Sequence, residues 1–344
     1  MDQTANNFSK LHAQISQGQL PADLAEKLTT QLGRLEKMSQ SAGFSPEIDR
    51  ELRYMEFVST LPFGKGSQDI LDLNRAAQIL EKNHYGLKPV KDRVLEYLSV
   101  LILNAKQGQK LRSPILAFVG LAGSGKTSLA YSIAESLGRK IIRIPFGGLG
   151  SVSELRGESR VKTEAEPGRL LKFIHDSGVN NPVILLDELD RVAMEAKSDV
   201  MGVLVELLDP EQNNAFLDHF VDYPFDLSNA LFIATANNTG NIATAVLDRL
   251  ELIEMPSYSD EEKVVIGKNY ILPKVTQMAG ITSGILTIDE NIWPQIVRPL
   301  GFDAGIRSLY RTLEGVVRKI AKQVVEGHPG PYRITAENIG GYIN

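Results

Sequence analysis

The sequence predicts an α/β fold: a doubly wound parallel sheet of five strands, with a helical arm before it and a smaller helical unit after it. Three observations predict it. Between residues 114 and 254 short apolar runs alternate with helical patterns, the order that builds a parallel sheet covered on both faces. The first run, Pro114-Ile-Leu-Ala-Phe-Val119, feeds a glycine-rich turn that opens a helix. From Ser259 onward the chain reads as almost wholly helical, apart from a short Tyr332-Arg-Ile334 strand.

Composition bounds the answer. The chain has 344 residues, enough for two domains with cores of their own. The net charge is −5 and no long Lys/Arg run occurs, so bulk charge does not suggest a nucleic-acid partner. There is no cysteine, which excludes disulfides, thiolate metal sites and cysteine nucleophiles. That absence is compatible with a reducing cytosol, and a cytoplasmic protein is the expectation. Met1-Asp-Gln-Thr-Ala-Asn-Asn7 has neither the basic nor the apolar region of a signal peptide. No apolar run approaches the roughly eighteen residues of a spanning helix, so no membrane partner is expected.

Residues 1–19 are polar and read as a frayed tail. Leu24, Leu28, Leu32 and Leu35 recur at spacings of four and three, a helix; Ile48, Leu52, Met55 and Phe57 or Val58 mark a second one after Ser45-Pro46. This arm ends at Leu61-Pro-Phe-Gly-Lys-Gly-Ser67, a Gly/Pro turn and linker. Two readings of the arm stand: a helical hairpin packed on the main domain, or the tail end of a further domain. Residues 69–112 read as two helices with His84-Tyr-Gly-Leu87 between them. Lys140 to Ile144, Pro182 to Leu186, Leu231 to Thr235 and Leu250 to Glu254 complete the strands, with helices at 152–155, 170–175, 200–208 and 242–249. The expected domains are 1–67 (tail and arm), 68–256 (α/β domain) and 257–344 (helical domain).

The residues with chemistry to offer follow the strands. Gly120-Leu121-Ala122-Gly123-Ser124-Gly125-Lys126-Thr127 matches the phosphate-binding pattern G-x-x-x-x-G-K-[ST], with Ser128 next in the helix. Glycines at 120, 123 and 125 allow positive φ and close approach of a phosphate to backbone N–H groups. Lys126 can reach β- and γ-phosphates, and the Thr127 hydroxyl can hold Mg²⁺. Asp187-Glu188 ends a buried strand: the first acid suits Mg²⁺, the second a water losing a proton. In isolation the pair also reads as a helix cap. Asn237 follows the fourth strand and can place a water beside a γ-phosphate, although an Asn-rich turn reads the same way. Arg249 precedes the fifth strand; it is either an ordinary surface arginine or a finger for a neighbouring subunit's nucleotide. Ala304-Gly-Ile-Arg307 opens a helix, where an arginine opposes the helix dipole and needs a partner such as phosphate.

With Leu208-Asp-Pro-Glu-Gln-Asn213, Asp218-His219 and Val90-Lys-Asp-Arg-Val-Leu-Glu-Tyr-Leu98 added, these motifs resemble the AAA+ module of Lon proteases over residues 20–344. The resemblance implies a homo-oligomeric ring, usually a hexamer, that binds ATP/ADP between subunits and acts on a polypeptide substrate or partner protein. It assigns Lys126 and Thr127 to phosphate and Mg²⁺, Asp187 to Mg²⁺, and Glu188 to water activation. Asn237 becomes the first sensor, Arg249 the finger in trans, Arg307 the second sensor, and His84 and Tyr85 neighbours of adenine.

Three departures shape the functional expectation. The serine signature of the Lon proteolytic domain, Pro-Lys-Asp-Gly-Pro-Ser-Ala-Gly, does not occur, so the chain is expected to be an ATPase without peptidase activity. Only the last helical arm of the large N-terminal domain is expected. Where the family's channel loop carries an aromatic–aliphatic–glycine triplet, this chain has Lys162-Thr163-Glu164, and no aromatic occurs from Gly147 to Arg169. An alignment slip of a residue or two is the other reading of that loop. The leading function is therefore a Lon-type AAA+ ATPase ring subunit that remodels or translocates a protein. The alternative is a nucleotide-gated assembly or adaptor protein that threads little substrate. A DNA-dependent machine lacks the basic stripe it needs.

Overall fold

The computed structural model describes residues 2–42, 45–108, 115–282, 284–298 and 305–343. Pro114, Ala304 and the 109–112 end of the expected helix pair lie outside them. The chain begins with α1 (Asp2–Gln17), α2 (Ala22–Ala42), α3 (Pro46–Thr60), α4 (Leu73–Asn83) and α5 (Lys88–Lys106). Then come β1 (Ile115–Val119), α6 (Lys126–Leu137), β2 (Ile141–Pro145), α7 (Ser153–Arg156), α8 (Arg169–Ser177), β3 (Val183–Asp187) and α9 (Lys197–Leu207). A two-stranded hairpin, β4 (Phe216–Leu217) and β5 (Pro224–Phe225), precedes β6 (Leu231–Ala236), α10 (Thr244–Leu247) and β7 (Leu250–Glu254). The remainder is α11 (Asp260–Ile266), a π-helical turn (Gly267–Ile271), α12 (Leu272–Met278), β8 (Leu286–Ile288), α13 (Trp293–Val297), α14 (Arg307–Val325), β9 (Tyr332–Ile334) and α15 (Ile339–Tyr342).

The main sheet has five strands in the order β2-β3-β6-β1-β7. β2 runs parallel to β3 with Ile141 opposite Val183, and β3 parallel to β6 with Val183 opposite Leu231. Every residue of β3 and β6 is buried, which is why both read as unbroken apolar runs rather than as alternation.

The chain divides into two compact units, the first formed by Met1–Asp72, Val100–Ala117 and Ala134–Leu252. Its core joins the arm to the sheet: Phe8, Leu11, Ile15, Leu28, Leu52 and Met55 belong to one apolar cluster with Ile144, Ile184 and Phe232. The expected frayed tail is therefore a helix. Phe8, Leu11 and Ile15, three and four residues apart, line one face of α1, and their burial outweighs the polar majority around them. Ser45 caps α3 by accepting the Ile48 N–H at 3.3 Å, with Pro46 in the first turn. The 61–67 turn is fastened down: Ser67 N–H donates to Asn181 Oδ1 at 2.7 Å, and Asn180 N–H to the Lys65 carbonyl at 2.8 Å.

The second unit comprises Leu73–Ser99, Phe118–Ile133 and Ile253–Asn344. Ser259 and Glu262 close a capping box at the start of α11. At Gly267 a Cβ would come within 2.7 Å of the Trp293 ring, so only glycine lets the indole lie on the π turn. The unit is not wholly helical after Ser259: β9 has a parallel partner in β8, Leu286 opposite Tyr332, which the sequence reading did not anticipate. Among the described residues no helix is long and apolar enough to cross a membrane.

Docking of α1 has a measurable consequence. Leu11→Ala should lower unfolding stability by about 2–4 kcal/mol, since a buried leucine is replaced by a cavity. Val325→Ala, at a position 88% exposed, should change it by less than about 0.5 kcal/mol. Denaturant midpoints followed by far-UV circular dichroism decide it; equal midpoints for both variants would mean that α1 is not part of the core.

Candidate functional site

The phosphate-loop signature lies in the second unit, between β1 and α6. Gly123 and Gly125 take φ of 82° and 97°, which side chains rarely adopt. Gly120 corrects the sequence reading: it has no positive φ, and glycine is required for space. A Cβ there would sit 2.6 Å from the Met255 carbonyl oxygen. Lys126 is buried and its ammonium donates to the carbonyls of Gly120 at 2.6 Å and Leu121 at 2.9 Å. Ser128 Oγ donates back to the Gly125 carbonyl at 2.8 Å. Leu121 and Ala122 are exposed at the loop crest, and Thr127 is half-buried in the first turn of α6. Ser124 is buried, and its hydroxyl has no hydrogen-bond partner among the described residues.

The segment Gly305-Ile-Arg307 is seated on this loop. Ile306 N–H donates to the Gly123 carbonyl at 3.2 Å, and a Cβ on Gly305 would lie 2.2 Å from the Ala122 oxygen. A Cβ on Gly123 would in turn meet Arg307 N and Cγ at 3.2 Å. Backbone thus packs on backbone with no room for side chains, and Arg307, the first residue of α14, stands beside the loop.

His84 is buried and shares the Ser132 hydroxyl of α6, at 2.9 Å, with the Asn83 amide at 3.0 Å. Burial first, and the nearby Lys91 ammonium second, push its pKa down to about 4, so the imidazole is neutral at neutral pH. Tyr85 is half-buried in the same turn, where Gly86 and Leu87 take φ of 62° and 54°. Tyr258 was not anticipated. Its hydroxyl lies 3.6 Å from where a Gly125 Cβ would be, and burial, then Glu262, pushes its pKa up to about 12. The signal for it is slight: a tyrosine two residues after Pro256, at a strand exit.

The two acids lie in the first unit. Asp187 is buried at the end of β3; Oδ1 accepts from Thr235 Oγ1 at 2.5 Å and Oδ2 from Arg143 Nε at 2.7 Å. Glu188 is left-handed, φ 60° and ψ 50°, a conformation that costs a non-glycine residue on the order of 1 kcal/mol. Its N–H donates to Thr235 Oγ1 at 3.0 Å, and its Oε2 lies 3.0 Å from a Cβ built on Gly147. One threonine hydroxyl therefore orients both acids. Asp190 receives the Asn237 N–H at 3.0 Å and so fixes the start of that loop. Thr235 and Asp190 carry this geometry yet have no signature of their own; Asp190 shows only as an acid three residues after Asp187.

Arg249 follows α10. NH1 donates to the Ala245 carbonyl at 2.8 Å and NH2 to Asp209 Oδ2 at 3.1 Å. Nearby in sequence to neither acid, the 157–168 loop is closed at its neck. Asp218, fully buried, accepts N–H bonds from Gly168, Phe220 and Val221 at 2.8, 2.8 and 3.1 Å. Arg160 lies 3.8 Å over the Tyr54 ring, and Lys162 pairs with Glu158 at 2.9 Å. Between them Val161 is 92% exposed, an apolar side chain the triplet reading left out.

Residues 116–257 match the family model described as "ATPase family associated with various cellular activities (AAA)", and residues 277–332 match "Lon protease AAA+ ATPase lid domain". The chain is an AAA+ module of Lon type. It is 42% identical over 342 residues to Lon protease 2 of Herpetosiphon aurantiacus, covering 99% of this chain and 41% of that protein. To Lon protease of Lawsonia intracellularis it is 41% identical over 336 residues, with 98% and 40% covered. To Lon protease of Desulforamulus reducens it is 39% identical over 329 residues, with 96% and 40% covered. The chain thus spans about 40% of the length of these curated relatives.

An AAA+ module calls for nucleotide, usually with Mg²⁺, and the phosphate loop fits the nucleotide. The loop runs into the first turn of α6, where backbone N–H groups suit an anion, and the buried Ser124 hydroxyl has no partner among the described residues. Among the described residues no cluster of three or more His, Asp or Glu could hold a metal alone.

The neutral His84 makes a pH prediction. Its folded pKa lies below the unfolded 6.5, so the unfolded state binds the proton more readily. Stability present above pH 6.5 should decline as pH falls toward 4, by about 3 kcal/mol for this residue. The difference in unfolding stability between the parent and His84→Gln, measured across that range, reads it. His84 ring protons titrating near 6.5 by NMR would contradict the assignment.

Proposed function

We propose that the chain hydrolyses ATP as a subunit of a homo-oligomeric ring and couples turnover to movement of a protein partner. The observation that carries this reading is the seating of Gly305-Ile-Arg307 on Gly123. It brings an arginine of the lid to the phosphate loop, an arrangement that a merely structural glycine turn has no use for.

In this reading the loop N–H groups and Lys126 bind the phosphates, with Ser124 and Ser128 adjacent and His84, Tyr85 and Tyr258 toward the nucleoside. Lys126 leaves the Gly120 and Leu121 carbonyls and pairs with the phosphate oxygens. Thr127 and Asp187 would hold Mg²⁺, which would supply neutralisation of phosphate charge. Asn237 orients the water, and Glu188 takes its proton as oxygen attacks the γ-phosphorus. The bond from γ-phosphorus to the bridging oxygen breaks, giving ADP and phosphate. Arg307 in the same chain and Arg249 from a neighbour offset the charge that develops.

The test is turnover against affinity. Glu188→Gln should keep ATP affinity within about twofold and reduce turnover at least a hundredfold, because an amide cannot accept the water's proton. Lys126→Ala should lose affinity itself. Full turnover in the first variant, or unchanged affinity in the second, would overturn the assignment.

A second reading is favoured by the 157–168 loop: nucleotide-gated assembly with little threading of polypeptide. Lys162, Thr163 and Glu164 are hydrophilic and exposed, and the Lys162 charge is already paired within the loop. An exposed ion pair with substrate is worth about 0–1 kcal/mol, against about 1.5–3 kcal/mol for a buried aromatic or aliphatic side chain. ATPase rate should therefore rise little with a neutral unfolded protein, and any rise should fade at high salt. Lys162→Tyr, Thr163→Ile and Glu164→Gly together should create strong, salt-insensitive stimulation. The parent showing that stimulation already would exclude the second reading and direct attention to Val161.

A further inference from the structure

The 208–213 turn, Leu-Asp-Pro-Glu-Gln-Asn, has no part in the roles assigned so far, yet one carboxylate organises it. Asp209 Oδ1 accepts the Glu211 N–H at 2.9 Å, and Oδ2 accepts the Gln212 side-chain amide at 2.9 Å. The Asp209 carbonyl accepts N–H bonds from Gln212 and Asn213 at 3.1 and 2.9 Å. Asn213 is buried and its carbonyl accepts the Leu227 N–H at 3.0 Å, which anchors the turn to the segment after β5. A carboxylate fixed by so many local bonds has a fixed outer face, and that face meets Arg249 at 3.1 Å. The Glu211 N–H, and then Arg249, hold the Asp209 carboxyl below the usual carboxylate range.

Arg249 is held a second time, by the Ala245 carbonyl one helical turn earlier. A guanidinium has five N–H donors, so these two bonds leave donors for an anion. A long side chain that docks on a partner's phosphate must give up its rotamer freedom. One already fixed at two points has given it up beforehand.

We propose that the 208–213 turn is a seat for Arg249, with Asp209 the positioning residue that presents the guanidinium to the nucleotide of an adjoining copy of this chain. The inference rests on the trans-acting role proposed above for Arg249.

The experiment uses the 344-residue chain, four variants and ATP turnover. Arg249→Ala tests the underlying reading and should lower kcat at least a hundredfold. Asp209→Asn keeps the shape and removes the charge; kcat should fall about tenfold, the loss of one charge-assisted hydrogen bond. The affinity for a fluorescent ADP analogue should stay within about twofold, which also reports that the subunit is folded. Asp209→Asn on the Arg249→Ala background should cost nothing further. Mixed with Lys126→Ala subunits, whose arginines are intact, Asp209→Asn subunits should exceed the summed activities of the two variants alone. A turn that only stabilises its own subunit could not be rescued by a neighbour. Parental kcat in Asp209→Asn while Arg249→Ala is inactive, no gain on mixing, or a further loss in the double variant would overturn the seat. Parental kcat in Arg249→Ala would instead overturn the finger reading, and the seat with it.

Discussion

The buried carboxylate of Asp187 is the constraint from which the arrangement of the sheet edge around it follows. It ends the central strand β3, where an unpartnered charge would cost several kcal/mol. Two neighbouring strands supply the compensation: β2 sends Arg143 and β6 sends Thr235, each to a different carboxylate oxygen. The three strand ends are thereby tied to a single group. Because Thr235 also receives the Glu188 N–H, the bond that satisfies one acid sets the backbone of the next. Glu188 persists in a left-handed conformation because it is fixed on both sides, by Thr235 at its N–H and by the Arg191 N–H at its carbonyl, 2.9 Å away. The Glu188 carboxylate lies along Gly147, where a Cβ would crowd Oε2 at 3.0 Å, and faces Arg191 NH1 at 3.7 Å.

A steric constraint does the same for the phosphate loop. Gly120 against Met255 and Gly305 against Ala122 are approaches that a methyl group would prevent, and Gly123 against Arg307 is one that it would crowd. The start of α14 and the loop therefore share one packed backbone surface. Any movement of the loop on meeting an anion is felt at Ile306 and Arg307 through van der Waals contact and one hydrogen bond, without an intervening flexible side chain. An arginine in the first turn of a helix, unfavourable by itself, makes sense where an anion is delivered beside it.

Much of this was legible in the sequence, and the divide has a physical basis. The strands were readable as short apolar runs bounded by turns, and α2 and α3 because their apolar residues recur at the helical period. The phosphate-loop signature and the Asp187-Glu188 pair stood out because each sets particular residue types next to one another. α1 was missed because three apolar residues carry its docking among thirteen others of the sixteen-residue helix, which are mostly polar. β8 was missed because three residues give no period, and its partner β9 lies 46 residues on, with Leu286 opposite Tyr332. Thr235, Asp190 and Asp209 were invisible as site residues for one reason: each acts on a group 40 to 48 residues away in the chain. Spacing along a sequence carries no trace of such contacts.

The 157–168 loop shows the same separation between what fixes a fold and what varies on it. Its neck allows almost no alternative. A Cβ on Gly168 would fall 2.0 Å from the Leu155 oxygen, and one on Gly157 would fall 2.7 Å from Asp218 Oδ1. Burial pushes the Asp218 carboxyl up, and the three N–H donors from Gly168, Val221 and Phe220 counter it, so the neck is closed by a saturated acid. Arg160 anchors the ascending limb on Tyr54, whose own hydroxyl donates to the Val221 carbonyl at 3.1 Å. Beyond these fixed points, residues 161–164 are exposed and contribute little to stability. Their side chains are therefore set by what the loop meets. A lysine, a threonine and a glutamate beside one exposed valine leave the loop's outer surface mostly polar, with a single small apolar side chain at its crest.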